Sequence, residues 1–272
     1  MINTRQMVIR KVVPTILTFS TPFDRFGRIK LGGRGTVVKL ADSSLAVFSP
    51  VALTDIVKAK LREELGSTNV KYLTALDQEH HIFLESWHKE WPDAKIIAPE
   101  TLPAYRDKQD YNKLPESNWN LIKKADKSSG LSVDPTFDAE FEIEYVSAHA
   151  NQELVFVHKP TRTLIEADLL FNLPATEQYS RTGKSATSGV LTKFFASLNG
   201  TQGTAIWQKR FLWYAISAGD RQGFSQSVSR IAKWDFDRLI PCHGDVIETG
   251  GKGIFEKVME WHLKSAQQSG SS

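Results

Sequence analysis

Short apolar runs rich in β-branched residues recur through the first fifty residues, each broken by a turn signal. VVPTILTF, LGGRGTVVKL and SSLAVFSP, with DRFGR between the first two, predict an antiparallel meander over residues 7–50. The period then changes. TDIVKAKLREEL at 54–65 predicts a helix capped by Thr54 or Asp55 and stopped near Gly66. A strand at 70–75 follows, then a helix from about His80 to Trp91, on which Ile82, Phe83, Trp87 and Trp91 recur at helical spacing as core positions. Pro92-Asp93 ends that helix before a strand at 94–98. The second half repeats the order. Strands are predicted at 141–146, 153–158, 163–170 and 238–242, the middle two forming a hairpin around Lys159-Pro160-Thr161-Arg162, with helices near 224–234 and 253–265. Strands before helices in each half predict an α/β (α+β) fold: an αββα sandwich of two mixed β-sheets flanked by helices, in one domain spanning 1–272.

Composition narrows the class. A chain of 272 residues, 41% of them hydrophobic, can bury one substantial core or two small ones. Its 34 basic and 31 acidic residues nearly balance and are scattered, so no nucleic-acid partner is expected. Cys242, the sole cysteine, excludes an internal disulfide framework and fits a reducing, cytoplasmic setting. No apolar run approaches the roughly 20 residues of a bilayer span and no secretory signal stands out, so no membrane partner is expected. Arg5, Arg10 and Lys11, with no acidic residue before Asp24, have the charge pattern of a transit peptide, but Val12, Val13, Ile16, Leu17 and Phe19 read as a first strand. Asn199-Gly200-Thr201 is a glycosylation sequon without meaning in a cytoplasmic chain. Gly32, Gly33 and Gly35 precede no Lys-Ser/Thr pair and no helix signal, so they predict a hairpin turn and not a phosphate loop.

The chemistry sits at predicted strand ends. His80 and His81 follow one strand in LDQEHHIF, His149 follows another in YVSAH, and His243 a third in LIPCHGD. Asp168 interrupts the apolar run LIEADLLF. An unpaired buried carboxylate costs several kcal/mol, so Asp168 needs a partner, and a cation is the obvious one. Neutral imidazoles with one carboxylate suit zinc, or else iron(II). A helix beginning at His80 would disfavour protonated imidazole and keep the pair in its metal-binding form. Cys242 beside His243 reads as a buried strand-end thiol and not a nucleophile.

The order of these residues resembles the metallo-β-lactamase superfamily over about residues 8–262, and a divergent branch of it in which a His-His pair adjoins a helix bearing tryptophans. The resemblance implies a metal held at one edge of the sandwich, on loops at strand ends. Its members hydrolyse thioesters, lactones, β-lactams and phosphodiesters, or act as iron-dependent oxygenases. The family's first motif, H-x-H-x-D-H, is degenerate here. With His81 at its last histidine, Leu76 and Gln78 stand at the first two histidine positions and His80 at the aspartate. The implied site holds one divalent metal on His80, His81, Asp168 and His243, with His149 either joining as a ligand or binding substrate. The activity implied is hydrolysis of a small-molecule ester, thioester or lactone by a metal-bound hydroxide. His149, Asp168 and Asp77 are the catalytic candidates, and Asp77, Glu79 or Asp245 could accept protons or anchor imidazoles. Two alternatives stay open: a mononuclear iron(II) enzyme with redox, hydration or bond-cleaving chemistry, and a non-catalytic binding protein. The segment 172–224 carries Phe194, Phe195, Trp207, Phe211, Trp213 and Tyr214 among Gly and Ser residues. It reads as an aromatic lid, a homodimer surface or a packed helix pair.

Overall fold

The computed structural model describes residues 6–269; Arg5 of the basic N-terminus lies outside them. The strands are β1 (Val8–Val13), β2 (Ile16–Thr21), β3 (Asp24–Arg25), β4 (Ile29–Lys30), β5 (Gly33–Lys39), β6 (Leu45–Phe48), β7 (Val70–Thr74), β8 (Lys95–Pro99), β9 (Trp119–Ile122), β10 (Phe141–Val146), β11 (Glu153–His158), β12 (Thr163–Ile165) and β13 (Arg238–Ile240). The helices are α1 (Asp55–Leu65), α2 (Leu84–Glu90), α3 (Leu102–Lys108), α4 (Pro135–Glu140), α5 (Thr176–Tyr179), α6 (Val190–Leu198), α7 (Ile206–Phe211), α8 (Arg221–Ile231), α9 (Gly251–Val258) and α10 (Glu260–Ser269).

A seven-stranded sheet runs β1-β2-β5-β6-β7-β8-β9 and a four-stranded sheet runs β10-β11-β12-β13. The predicted meander is the antiparallel half of the first sheet; from β6 to β9 the pairing is parallel. In the second sheet only β12 and β13 are parallel. Aromatic residues fill the space between the sheets. Phe48 on the first lies 5.3 Å from Phe141 and 5.1 Å from Phe156 on the second, ring centre to ring centre. Each such buried ring contributes about 1.5–3 kcal/mol. Leu61, Leu65 and Trp87 close the outer face of the first sheet beneath α1 and α2. Phe224, Val228, Ile231 and Phe255 close that of the second beneath α8 and α9. The result is the αββα sandwich.

Three elements are shorter than the hydrophobic pattern predicts, each where chemistry-bearing residues stand: β12, α2, and β13, which stops at Ile240 instead of 242. β12 stops at Ile165 instead of running on to 170. The Glu153 carboxylate accepts the backbone N–H groups of Ala167 (2.7 Å) and Asp168 (3.0 Å), and Glu166 accepts that of Leu170 (3.1 Å). Side-chain oxygens there replace a strand ladder and turn the chain out of the sheet. α2 begins at Leu84 and not at His80, because Asp77 captures the N–H groups of Glu79 and His80 (2.8 Å each) in a turn of its own.

The segment that enters α5 is held against the His243 loop from below. Arg34 on β5, fully buried, donates to the carbonyls of Pro241 (2.6 Å) and Gly244 (2.8 Å), to Ser20 Oγ (2.9 Å), and to Glu177 on α5 (3.3 Å). Gln178 bridges the Cys242 carbonyl (2.9 Å) and the Gly244 N–H (3.1 Å). Gly244 has φ +93, and a Cβ there would lie 2.1 Å from the Asn172 carbonyl oxygen, so only glycine lets the two loops meet.

Arg34→Ala would leave two buried carbonyls without their donor and the Glu177 carboxylate with Arg10 and Ser20 alone. Chemical denaturation is expected to show a loss of about 3–5 kcal/mol, with Arg34→Lys intermediate. A loss below about 1 kcal/mol would remove Arg34 as the anchor of this loop.

Candidate metal centre

Three strands deliver the site. β7 ends at Thr74 and leads into Asp77 and His80; β12 ends at Ile165 and leads to Asp168; β13 ends at Ile240 and leads to His243. β12 and β13 run parallel in adjacent positions, so their exits lie side by side at one edge of the sandwich. The structure brings His80, Asp168 and His243 together, one donor atom from each lying within 4.8 Å of the other two.

Hydrogen bonds fix which atoms converge. His80 Nδ1 lies 2.8 Å from Asp77 Oδ1, and His243 Nδ1 lies 2.6 Å from the Gly32 carbonyl oxygen. Both partners accept only, so both Nδ1 atoms carry the hydrogen and each Nε2 presents a lone pair. Those two Nε2 atoms face each other at 3.2 Å, and Asp168 Oδ1 lies 3.2 Å from His243 Nε2. Asn151 occupies the other oxygen, Asp168 Oδ2, at 2.6 Å, while Oδ1 is buried with no hydrogen-bond partner. With both imidazoles neutral, two nitrogen lone pairs and a carboxylate oxygen thus converge. Zinc–nitrogen bonds of about 2.0–2.1 Å separate neighbouring ligand atoms of a tetrahedron by about 3.3 Å; the donor set and two of its three separations match such an ion, and the third lies within 4.8 Å.

The local field favours positive charge. Burial opposes a charged His80, but Asp77 and Asp168 outweigh it, and the pKa is pushed up to about 9. Burial likewise opposes an ionised Asp168, yet His80 and His243 hold its carboxyl well below the usual range. The expectation that a helix terminus keeps His80 neutral is therefore corrected: the helix starts four residues later, and carboxylates set the potential.

Two of the five expected ligands stand apart from the trio. His81 turns the other way: its Nδ1 meets an Arg106 guanidinium nitrogen at 2.9 Å and its ring packs edge-on against Tyr111 at 4.8 Å. Burial and the Arg106 charge lower its pKa to about 4, so this imidazole is neutral, through arginine and not a helix dipole. His149 lies buried behind Asp168. Its Nδ1 accepts the Asn151 N–H (3.1 Å), and its Nε2, without a hydrogen-bond partner, points toward Glu153 Oε2 at 3.8 Å. Asp77 anchors His80 instead of facing open space. Glu79 binds Tyr105 (2.8 Å) and Arg25 (3.3 Å), and Asp245 accepts the Glu177 N–H (2.8 Å). Leu76 is buried in the inter-sheet core and Gln78 Nε2 donates to Thr101 (2.9 Å), so neither reaches the trio. Cys242 is buried, which pushes its thiol pKa up and keeps it protonated.

Sequence reasoning missed four residues that shape the site: Asn151, Glu153, Glu166 and Arg106. Glu153 and Glu166 are fully buried carboxylates, both with pKa values raised above the ordinary range, chiefly by desolvation. Glu166 interrupts the same apolar run that made Asp168 conspicuous, so the same signal was available. Arg106 lies on α3, whose seven residues give no clear helical period. Phe23 and Phe171, with ring centres 6.3 and 5.4 Å from that of His243, form an apolar wall beside the trio.

No curated protein matches the chain in sequence. Among solved structures, a metallo-β-lactamase from Erythrobacter litoralis superposes with a TM-score of 0.61 at 11% identity, covering 97% of each chain. A mono-zinc metallo-β-lactamase from Pseudomonas aeruginosa gives 0.55 at 10% identity, covering 96% of each. A flavo di-iron protein from Thermotoga maritima gives 0.59 at 10% identity, covering 94% of this chain and 62% of the other. These likenesses establish the metallo-β-lactamase fold. Residues 25–187, more than half of the 272, match the sequence model of a family described as a domain of unknown function, DUF4336; the match includes His80 and Asp168 and ends before His243. The chain belongs to the DUF4336 family, built on the metallo-β-lactamase fold.

Proposed function

We propose that the protein is a mononuclear metal-dependent hydrolase of a small-molecule ester, thioester or lactone, its ion held by His80, Asp168 and His243. The observation that carries this reading is the convergence of two imidazole Nε2 atoms and one carboxylate oxygen without a hydrogen-bond partner, all within 4.8 Å of one another. A zinc ion there would acidify water toward neutral pH and polarise a carbonyl oxygen. The chain's own residues do the rest. Asp77 and the Gly32 carbonyl hold the two imidazoles in the correct tautomer and orientation. Asn151 neutralises one Asp168 oxygen and leaves the other for the ion. Glu153 grips the backbone of Asp168, so the carboxylate reaches the site at a fixed height above the sheet. Phe23 and Phe171 exclude water on the His243 side and offer an apolar surface to an acyl group. His149, buried beside Asp168, directs its Nε2 at Glu153 and not at the trio, so in this reading it supports the site from within.

Two imidazoles and one carboxylate also compose the facial triad of iron(II) enzymes, so the donor set supports a redox reading with the same residues. Elemental analysis, with EPR after addition of nitric oxide, separates the two: a zinc protein stays silent, and the signal of an iron nitrosyl would favour the redox reading.

The residue assignment predicts a sharp division among histidines. His80→Ala, Asp168→Ala and His243→Ala are each expected to abolish tight metal binding, measured by elemental analysis after gel filtration. His81→Ala and His149→Ala are expected to retain about one equivalent, because both nitrogens lie outside the trio. Metal loss in His81→Ala equal to that in His80→Ala would redraw the site.

Asp77 acts one step removed. Asp77→Ala is expected to lower metal affinity by about 10–100-fold without abolishing it. An unchanged affinity in competition titrations would remove it as the orienting group.

A further inference from the structure

Helix α6 carries apolar residues on two sides, Phe195 and Ala196 toward the core and Val190, Leu191 and Phe194 toward solvent. A surface helix normally turns its apolar stripe to the core. In α6 the one fully buried side chain is polar: Thr192 accepts the Lys30 N–H (3.2 Å) and donates to the Arg28 carbonyl (3.1 Å), pinning the helix to the β3–β4 hairpin. Val190 is 84% exposed, Phe194 62% and Leu191 48%. Phe195, on the opposite side, packs with Phe211 and Phe171 and holds the helix in place. The hairpin beneath ends the same way. Phe26 at its tip has φ +53, is 81% exposed, and its ring lies 5.2 Å below the Arg25 guanidinium carbon. A left-handed phenylalanine in water is stabilised neither by its backbone nor by burial.

Charge says what covers this lobe. From residue 178 to 219 the chain has no aspartate or glutamate, and it carries Arg181, Lys184, Lys193, Lys209 and Arg210. Lys209 is bound by Glu260, but Lys184, Lys193 and Arg210 are exposed, as is Arg28 on the hairpin. Lys193, exposed on α6, flanks the apolar face of Val190, Leu191 and Phe194. On α7 the Arg210 guanidinium carbon lies 4.7 Å from the centre of the exposed Trp207 ring. A second copy of the chain is a poor occupant, because a two-fold axis would set these cations against their own kind. Apolar side chains interleaved with cations, and tryptophan beside them, match the boundary between anionic headgroups and acyl chains.

We propose that α6 and the β3–β4 hairpin dock the protein on an anionic lipid bilayer. Val190, Leu191, Phe194 and Phe26 insert at the headgroup boundary, and Lys184, Lys193 and Arg28 meet the anionic headgroups. Composition predicts no membrane partner because it registers spans, and a surface lobe leaves no long apolar run. Phe23, at the base of the same hairpin, is the ring beside His243, so the docked lobe adjoins the metal centre. The surface itself does not depend on the metal reading.

The test is co-sedimentation of the intact protein with phosphatidylcholine vesicles, with and without about one-third phosphatidylglycerol. Wild type is expected to partition onto the anionic vesicles and to be released in about 0.5 M salt. The triple variant Val190→Ser, Leu191→Ser, Phe194→Ser should lose binding at least about tenfold, and Lys184→Glu with Lys193→Glu should lose roughly fivefold for each cation. Melting temperature and metal content of both should match wild type, which keeps this test separate from that of the metal site. Wild-type binding no stronger than that of the triple variant overturns the proposal. A wild-type dimer that the triple variant converts to monomer, with no vesicle binding, assigns the face to a second copy instead.

Discussion

Two imidazole Nε2 atoms and a carboxylate oxygen, the His243 nitrogen 3.2 Å from each of the other two and all three within 4.8 Å, define an electrostatic demand that the rest of this fold is arranged to maintain. Left to themselves such atoms would separate, or the imidazole would take up a proton to pair with the carboxylate, as the raised pKa of His80 and the lowered one of Asp168 attest. They are kept together because each is tied from behind: His80 by Asp77, His243 by the Gly32 carbonyl, Asp168 by Asn151 and Glu153. The anchors come from both sheets. The site is therefore a property of the packed sandwich and not of a single loop.

That arrangement concentrates polar groups in a place where burial makes them expensive. Asp77, Glu153 and Glu166 are fully buried within a few residues of strand ends. Glu153 and Glu166 are pushed toward their neutral forms, while each still accepts backbone N–H groups that the broken strand β12 has released. Their structural role is to end the strand at Ile165, and that termination is what lifts Asp168 out of the sheet. Arg34 does the corresponding task for His243, from beneath, by holding two carbonyls of its loop. Removing any one of these groups leaves others buried without partners, which couples stability to the shape of the site.

The sandwich was legible in the sequence because its strands are short, β-branched and bounded by turn residues; β10 and β11 fall on the predicted boundaries. The hairpin of β3 and β4 and the helices α3 and α4 were not, since two-residue strands and six- or seven-residue helices carry too few positions to show a period. At the site, histidines at strand ends and a carboxylate in an apolar run pointed to His80, Asp168 and His243. Adjacency in the chain misled at His81: consecutive side chains leaving a turn point in different directions, and Arg106, distant in sequence, captures the second. The exposed apolar side of α6 was also hidden, because sequence alone does not say which of a helix's apolar residues meet the core.

X-ray absorption at the edge of the bound metal tests the central claim most directly, because it reads the ligand shell without recourse to substrate. Fine structure from two imidazoles with the remaining ligands oxygen, no sulfur and no second metal scatterer, at about one ion per chain, is the expected result. A shell with three or four imidazoles, or a metal–metal distance of about 3.5–4 Å, would contradict the assignment of the site to His80, Asp168 and His243 alone.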